Sequence, residues 1–362
     1  MKARRVVVLG VNEVEVREAE LPAVGPEEIL LEADCSLISA GTELAGIGGL
    51  TSGARAAAEE RRPRQIGYSF VGTVKEVGQD VTAWRPGQRV VGQAPHASHA
   101  VVASSRPFVS VPEDVPAEHA AFAVLMAIAL NAVRMAHVQI GEPVAVVGQG
   151  LVGQLAGQFA RINGVRPLVV LDALDTRLQI AREGGATHTI NVREHGIAGS
   201  TPGTTDSTSR SSEYGRQEDE RLAEAVRAAT GGEGPRVVIE ATGAPRPVVT
   251  ALRIAARGAR VVLLGSTRGL VHEWDPYTDV HLKALTIIGA HSPSSHPPVG
   301  TFWSPFTVPE NMRVGLELVR DGSLRLDRLI TSRFPGSEAS RAYAGLLERP
   351  DEHMGVILKW RT

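Results

Sequence analysis

The chain has 362 residues, of which 43% are hydrophobic and 22% are charged, and its formal net charge is −2. This length exceeds that of a typical single domain, and the composition is close to the globular average, which excludes a wholly disordered, fibrous or coiled-coil protein. The near-neutral charge provides no overall field that would attract nucleic acid or an anionic membrane surface. The first apolar run, residues 6–11, is too short for a signal sequence or a membrane span, so we expect a cytoplasmic enzyme.

The sequence contains one cysteine, Cys35. A single cysteine excludes an internal disulfide and every multi-cysteine metal site. Cys35 lies in a strand-like run, and we expect it to be a buried structural side chain.

Residues 4–111 have the pattern of short strands separated by glycine and proline, which predicts a β-rich region. The predicted strands fall at 4–10, 28–33, 72–78 and 88–92. At residues 117–136 alanine and leucine recur with helical spacing and without glycine. This change of period predicts one or two packed helices.

From residue 141 onward, apolar strand patterns alternate with helical patterns. The predicted strands are 144–147, 167–171, 236–240, 260–265 and 285–289, and the predicted helices are 151–163, 176–183, 222–230 and 247–256. This alternation predicts a parallel, doubly wound sheet whose strands are buried on both faces. Residues 196–217 are rich in Ser, Thr and Gly, which predicts a mobile surface insertion. A helix at 312–321, a strand near 328–331, a helix at 337–347 and a strand at 355–360 complete the prediction.

The sharpest motif is a G-x-G-x-x-G run that follows a predicted strand and opens a helix. Gly148 permits a tight turn, Gly150 lets a pyrophosphate approach the backbone, and Gly153 allows the helix to pack closely on the strand. The helix N-terminus at Leu151 and Val152 carries a partial positive charge that favours phosphate. The run therefore predicts a dinucleotide site.

An acidic residue, Asp172, ends the next predicted strand. A carboxylate at this position binds the hydroxyls of the adenosine ribose and repels a 2′-phosphate, so NAD is predicted rather than NADP. Arg177 lies nearby and could instead pair with a 2′-phosphate. Thr242 and Gly265 follow two further strands, in loops that line the ligand crevice of such a sheet.

These residues together resemble the medium-chain dehydrogenase/reductase superfamily, which contains the zinc alcohol and polyol dehydrogenases. The resemblance is carried by the runs 39–43, 66–78, 85–90, 148–153, 239–243 and 260–265. It implies an α/β protein in which a GroES-like, β-rich catalytic domain, residues 1–123 and 294–362, surrounds a Rossmann NAD-binding domain, residues 124–293. It also implies a homodimer or homotetramer.

The chain departs from this family at the zinc ligands. Ala40 stands at the position of the thiolate ligand, Tyr68 at that of the imidazole ligand, and Ser69 at that of its acidic neighbour. The third ligand would fall near Val124 or Leu125, and the cysteine-rich lobe that holds a structural zinc is missing. No metal site is therefore predicted, and the resemblance implies a zinc-independent member.

Without zinc, another group has to hold the substrate oxygen. Tyr68 occupies the lost ligand's position and can donate a hydrogen bond or relay a proton, and Thr42 matches the hydroxyl residue of the family's proton relay. We take these two residues as the predicted catalytic pair. Glu43, Tyr277 and Trp303 are weaker candidates for substrate contacts, for which a structural role is the more common alternative.

Three functions remain open at this point. The leading hypothesis is an NAD-dependent, zinc-independent oxidoreductase that acts on a secondary alcohol or ketone, including sugar-like and other polyfunctional small molecules. The alternative is a quinone- or enoyl-reductase-like enzyme that reduces a conjugated double bond with NAD(P)H, which the full glycine motif and Asp172 disfavour. The third is a non-catalytic protein that keeps the fold.

Overall fold

The chain divides into two compact units in the computed structural model. The first, called here the terminal unit, contains residues 1–127 and 298–362; the second, the central unit, contains residues 128–297. The structure describes residues 1–50, 63–197, 212–272, 274–302 and 305–361.

The terminal unit contains two β-sheets. Its strands are β1 (Lys2–Gly10), β2 (Glu13–Glu20), β3 (Glu28–Ile38), β4 (Arg64–Gln65), β5 (Phe70–Val77), β6 (Arg89–Gly92), β7 (His99–Ala103), β8 (Phe108–Ser110), β15 (Ile330–Pro335) and β16 (Gly355–Lys359). The smaller sheet has the order β2-β1-β4, and the larger has the order β15-β16-β3-β5-β6-β8 with β7 also paired to β3. Strand β16 lies between β15 and β3, so a strand from residues 355–359 completes the sheet that begins with β3.

The helices of the terminal unit pack against these sheets. They are α1 (Ala40–Ile47), α2 (Ala117–Ala120), α9 (Val308–Arg320) and α10 (Ala339–Glu348), while α3 (Ala123–Met135) continues from this unit into the central one. The prediction of one or two helices at 117–136 is therefore confirmed. The core of the unit joins alternate residues of the strands, such as Ile29 and Leu31, to Tyr343 and Leu346 of α10. Helix α1 directly follows β3 and carries part of the candidate site.

The central unit contains a six-stranded parallel sheet. Its strands are β9 (Val144–Val147), β10 (Leu168–Asp172), β11 (His188–Asn191), β12 (Val237–Glu240), β13 (Arg260–Leu263) and β14 (Thr286–Gly289). Their order is β11-β10-β9-β12-β13-β14, so the chain runs outward from β9 in one direction and then returns to build the other half. This is the doubly wound arrangement, and ligands bind such sheets beyond the carboxyl ends of β9 and β12, where the direction of winding reverses.

The helices of the central unit alternate with its strands, as predicted. They are α4 (Leu151–Ile162), α5 (Asp175–Glu183), α6 (Ser212–Ala229), α7 (Pro245–Ile254) and α8 (Ser292–Ser295). Most of the predicted surface insertion at 196–217 lies outside the described residues. Its last part was assigned wrongly, because the backbone from Ser212 forms the first turns of α6, a helix whose buried face is formed by Leu222, Ala223 and Val226.

Strand β14 corrects another expectation. It was predicted to be buried on both faces, but Thr286, Ile287 and Gly289 are exposed, and Ile287 retains 39% of its accessible surface. The physical reason is its position: β14 is the last strand in the sheet order and pairs only with β13. Its apolar composition is that of a strand, yet one edge of its backbone stays open.

In the described part of the chain, no helix is both long enough and apolar enough to cross a bilayer.

Candidate functional site

The glycine-rich turn between β9 and α4 has the geometry expected of a dinucleotide site. Gly148 has φ of +91°, and a Cβ on it would lie 2.6 Å from Cγ2 of Thr242. A Cβ on Gly153 would lie 1.9 Å from the carbonyl oxygen of Gly148, so this glycine lets α4 pack against the turn. A Cβ on Gly150 would meet nothing within 4 Å. The turn therefore leaves open space beside the N-terminus of α4, where a phosphate group fits.

Asp172 lies beside this turn, at the end of β10. One carboxylate oxygen accepts a hydrogen bond from the backbone N–H of Gln149 at 2.6 Å, and the other accepts one from Leu174 at 3.0 Å. The carboxylate is half-buried and joins the glycine turn to the turn that begins α5. Arg177 lies on α5, and its carbonyl oxygen accepts a bond from Gln154 of α4 at 2.8 Å. The predicted cofactor residues that follow β9 and β10 therefore lie next to one another in the structure.

The turns after β12 and β13 contain the other two predicted cofactor residues. Thr242 follows Glu240, whose Oε1 accepts bonds from the Thr242 N–H at 2.7 Å and from the Thr242 hydroxyl. A Cβ on Gly265 would lie 2.4 Å from the backbone nitrogen of Gly243, so the two turns are in contact. Glu240 is fully buried, and burial raises the pKa of its carboxyl to about 7. This turn was predicted from the sequence, but no role was predicted for Glu240.

In the terminal unit, the two predicted catalytic residues come together. The hydroxyl of Tyr68 donates a hydrogen bond to the hydroxyl of Ser39, which precedes α1. Burial raises the pKa of the Tyr68 phenol, and hydrogen bonds with Ser39 and Thr42 act in the opposite direction. Thr42 is exposed on the first turn of α1, and Tyr68 is half-buried. Three hydroxyl groups therefore form one cluster at the start of this helix.

A buried acid lies behind the hydroxyl cluster. Glu43 is 5% exposed and accepts hydrogen bonds from the backbone N–H of Ser39 at 2.8 Å and from the hydroxyl of Tyr343. Its Oε2 also lies 3.1 Å from Nε2 of His96, a residue with no exposed surface. Glu43 was a weak candidate for substrate contact, and the structure instead gives it the structural role that was the more common alternative, because its carboxylate is buried and bound within the protein.

His96 extends this network across the sheet. Its Nδ1 lies 2.8 Å from the hydroxyl of Ser36, which also accepts a bond from the indole N–H of Trp360 at 3.0 Å. Gly67, which precedes Tyr68, has φ of +97°, and a Cβ on it would lie 2.4 Å from Cδ2 of His96. Only glycine satisfies both conditions, so the position of His96 constrains the backbone that presents Tyr68. We call Glu43, His96, Tyr343, Ser36 and Trp360 the buried cluster.

The residues predicted to stand at the zinc-ligand positions have the following surroundings in the structure. Ala40 has no donor atom, and the Ser69 hydroxyl donates to the carbonyl oxygen of Ala121 at 2.5 Å. Val124 and Leu125 are apolar and buried. Over the ranges that the structure describes, no group of three or more His, Cys, Asp or Glu side chains could hold a metal ion.

The remaining candidates lie elsewhere. Cys35 is buried on β3, as predicted, and burial raises the pKa of its thiol to about 12. Tyr277 is 62% exposed in the central unit and stacks on His281. Trp303 lies outside the described residues.

The two parts of the sequence match known domain families. Residues 35–109 match the alcohol dehydrogenase GroES-like domain, and residues 152–300 match the zinc-binding dehydrogenase domain. Together the two matches cover more than half of the chain. The protein therefore belongs to the zinc-type alcohol and polyol dehydrogenase family, and the predicted fold, a GroES-like domain with a Rossmann domain, is confirmed.

Similar proteins include a polyol dehydrogenase and nucleotide-bound structures. Sorbitol dehydrogenase 1 of Saccharomyces cerevisiae is 26% identical over 313 residues, which cover 78% of each chain. A Sinorhizobium meliloti protein described as a zinc-binding dehydrogenase, bound to NADP, has a TM-score of 0.75 at 22% identity and covers 99% of each chain. An Escherichia coli alcohol dehydrogenase in complex with NADH has a TM-score of 0.74 at 20% identity, again covering 99% of each chain.

Proposed function

We propose that this protein is a zinc-independent, NAD(H)-dependent oxidoreductase that transfers a hydride between nicotinamide and a secondary alcohol or its ketone. The family and the likeness to sorbitol dehydrogenase support oxidation of a CH–OH group in a polyol-like small molecule. The observation that carries the proposal is the hydroxyl cluster of Ser39, Thr42 and Tyr68. Within it, the resemblance places Tyr68 at the position of a metal ligand and Thr42 at that of the proton-relay hydroxyl.

The central unit is proposed to hold the dinucleotide. Its pyrophosphate would lie at the open side of Gly150, against the backbone N–H groups of Leu151 and Val152. Asp172 would bind the ribose hydroxyls, and its charge would repel the 2′-phosphate of NADP. When bound, the nicotinamide accepts or supplies the hydride. Thr242 and Gly265 line the turns at the neighbouring strand ends.

The terminal unit is proposed to hold the substrate oxygen. Because burial raises the pKa of Tyr68, its phenol keeps its proton near neutral pH and can donate a hydrogen bond. A substrate oxygen would replace Ser39 as the acceptor, and Thr42 offers a second hydroxyl on the exposed side. The residues present do not fit a catalytic zinc, since Glu43 and His96 bind each other and Ala40 offers no ligand.

The buried cluster supports this arrangement by fixing the start of α1. Glu43 binds the Ser39 N–H from one turn ahead, and His96 and Tyr343 hold the Glu43 carboxylate in place. Glu43 and His96 are thus positioning residues: they act on Tyr68 through Ser39 and Gly67.

The first experiment is a competitive titration of the purified protein with NADH and NADPH, followed by nucleotide fluorescence in chelator-treated buffer. Preference for NADH without added metal supports both the Asp172 assignment and zinc independence. Preference for NADPH would contradict the assignment of Asp172 and direct attention to Arg177. Binding of neither nucleotide would favour a non-catalytic protein.

A product assay then tests the reaction class. Sorbitol, xylitol and simple secondary alcohols are incubated with NAD in the same buffer, and products are identified by mass spectrometry. Ketone formation supports the proposal. Saturation of an enone with reduced nucleotide, without alcohol oxidation, would replace it with a reductase of conjugated double bonds.

A homodimer or homotetramer is part of the same proposal. Strand β14 supports it, because its outer backbone edge and the side chain of Ile287 are exposed. An open sheet edge of this kind pairs readily with a second strand.

A further inference from the structure

The turns at the carboxyl edge of the central sheet are packed around one carboxyl group, that of Glu240. Glu240 is the last residue of β12 and has no exposed surface. Its Oε1 accepts the Thr242 N–H at 2.7 Å and the Thr242 hydroxyl, and the Thr242 oxygen in turn accepts the Ala244 N–H at 3.1 Å. One carboxyl oxygen therefore fixes the whole turn after β12.

This turn is in contact with the glycine-rich turn between β9 and α4. The methyl group of Thr242 lies against Gly148, where a Cβ would be only 2.6 Å away. On the other side, a Cβ on Gly265 would lie 2.9 Å from Oε2 of Glu240. The Glu240 carboxyl is therefore in contact with the Gly265 turn directly and with the Gly148 turn through Thr242.

The second oxygen of Glu240, Oε2, is buried and has no hydrogen-bond partner within the described residues. An unpartnered carboxylate oxygen is costly in a buried site, and this cost disfavours the charged form. Burial is the largest cause of the raised pKa of about 7, which the bonds from Thr242 and Gly243 partly offset.

The neighbouring groups do not account for this shift. Glu240 pairs in register with Val147 of β9 and Leu263 of β13, which are not titratable. The charged residues of the adjoining turns and helices are Asp172 beside the glycine-rich turn, Arg246 on α7, which binds Asp219, and Arg268, whose N–H donates to the Gly243 carbonyl. None of them contributes to the shift of the Glu240 pKa.

We propose that Glu240 is a positioning residue of the dinucleotide site and that nucleotide binding is coupled to the uptake of one proton by its carboxyl group. The inference rests on the proposed dinucleotide site. A bound dinucleotide brings two phosphate charges to this edge and excludes water, and both effects favour neutral Glu240. By linkage, affinity is highest below the pKa of the free protein and falls as pH rises through it, by at most about tenfold per pH unit.

The test measures the Kd of NADH by fluorescence between pH 5.5 and 9, in the wild-type protein and in Glu240→Gln. Glutamine keeps the oxygen that accepts the Thr242 bonds and cannot titrate. We expect the wild-type Kd to rise several-fold above about pH 7, and the Glu240→Gln Kd to stay constant. Asp172→Asn is the matched control, which weakens binding but keeps the pH dependence.

A second variant, Thr242→Val, keeps the methyl group against Gly148 and removes the hydroxyl that donates to Glu240. Because that bond lowers the pKa of Glu240, its loss is expected to move the midpoint of the Kd profile to higher pH. A pH-independent wild-type Kd, or a dependence that survives in Glu240→Gln, would overturn the inference. Absence of NADH and NADPH binding at every pH would instead overturn the proposed function.

Discussion

The two units build their candidate sites in opposite ways. In the central unit the surface proposed to bind ligand is largely backbone, a glycine turn and a helix N-terminus, with Asp172 as its main polar side chain. In the terminal unit it consists of hydroxyl side chains held by the buried cluster. A site built from backbone therefore tolerates little change at its glycines but much change elsewhere, whereas a site built from side chains depends on the buried residues that hold them.

The largest effect is expected from Tyr68→Phe, which tests whether the side-chain site performs chemistry. Loss of the phenol hydroxyl removes the donor to the substrate oxygen, so kcat should fall by about 10²–10⁴-fold while the Kd of NADH is unchanged. Tyr277→Phe, at an exposed tyrosine of the central unit, is the control. Full turnover in Tyr68→Phe would leave Tyr68 as a space-filling residue only.

His96→Ala tests how much the terminal unit depends on its buried cluster. Removal of His96 takes one hydrogen-bond partner from the buried Glu43 side chain, and a buried polar group that loses a partner costs about 1–3 kcal/mol of unfolding free energy. The urea midpoint of unfolding should fall accordingly. His99→Ala, at a half-buried histidine on β7, should change it little. Equal midpoints for the two variants would show that the His96 contact contributes nothing measurable.

Asp172→Asn tests whether Asp172 selects the cofactor at the proposed dinucleotide site of the central unit. Charged hydrogen bonds contribute about 1.5–3 kcal/mol, so the preference for NADH over NADPH should fall by at least tenfold. Asp175→Asn, on the exposed first turn of α5, is the matched control. An unchanged preference would mean that another group selects the cofactor.

A smaller effect concerns association. Ile287→Lys places a charge on the exposed edge strand β14 and should shift the mass measured by light scattering at micromolar concentration toward that of one chain. Ile140→Lys changes an isoleucine that is 87% exposed elsewhere in the central unit, and should leave the mass unchanged. A monomeric wild-type protein would refute the proposed oligomer.

The smallest effect is expected at Cys35. Because burial raises the pKa of its thiol to about 12, the reactive thiolate is nearly absent at pH 8. The native protein should therefore show negligible alkylation by iodoacetamide at pH 8, and the urea-unfolded protein should take up one equivalent. Rapid labelling of the native protein would show that β3 opens readily in the terminal unit.

Much of the fold and the whole glycine turn could be predicted from the sequence. The spacing of Gly148, Gly150 and Gly153 reports backbone requirements that do not depend on distant residues, and Asp172 follows at a fixed place in the same β-α-β unit. Apolar patterns located β14, but they carry no information about which strand ends the sheet. Its exposure was therefore missed.

The buried cluster could not be predicted in the same way. Glu43 contacts His96 and Tyr343 across sequence separations of 53 and 300 residues, and no local pattern encodes such pairs. A weak signal existed, since an acid in an otherwise apolar helix turn needs a partner when it is buried. The same signal was present at Glu240, a carboxylate that ends the buried apolar strand β12 and therefore needs a hydrogen-bond partner.

The order of strands in the terminal unit has a consequence for biosynthesis. The central unit is one continuous stretch of the chain, so it can fold while residues 298–362 are still being translated. The terminal unit cannot complete its larger sheet at that stage, because β16, which lies between β15 and β3, and Trp360, which donates a bond to Ser36, follow the central unit in the chain. The buried cluster that holds the start of α1 is thus completed only after Tyr343 and Trp360 have been added, when the whole central unit has already been synthesised.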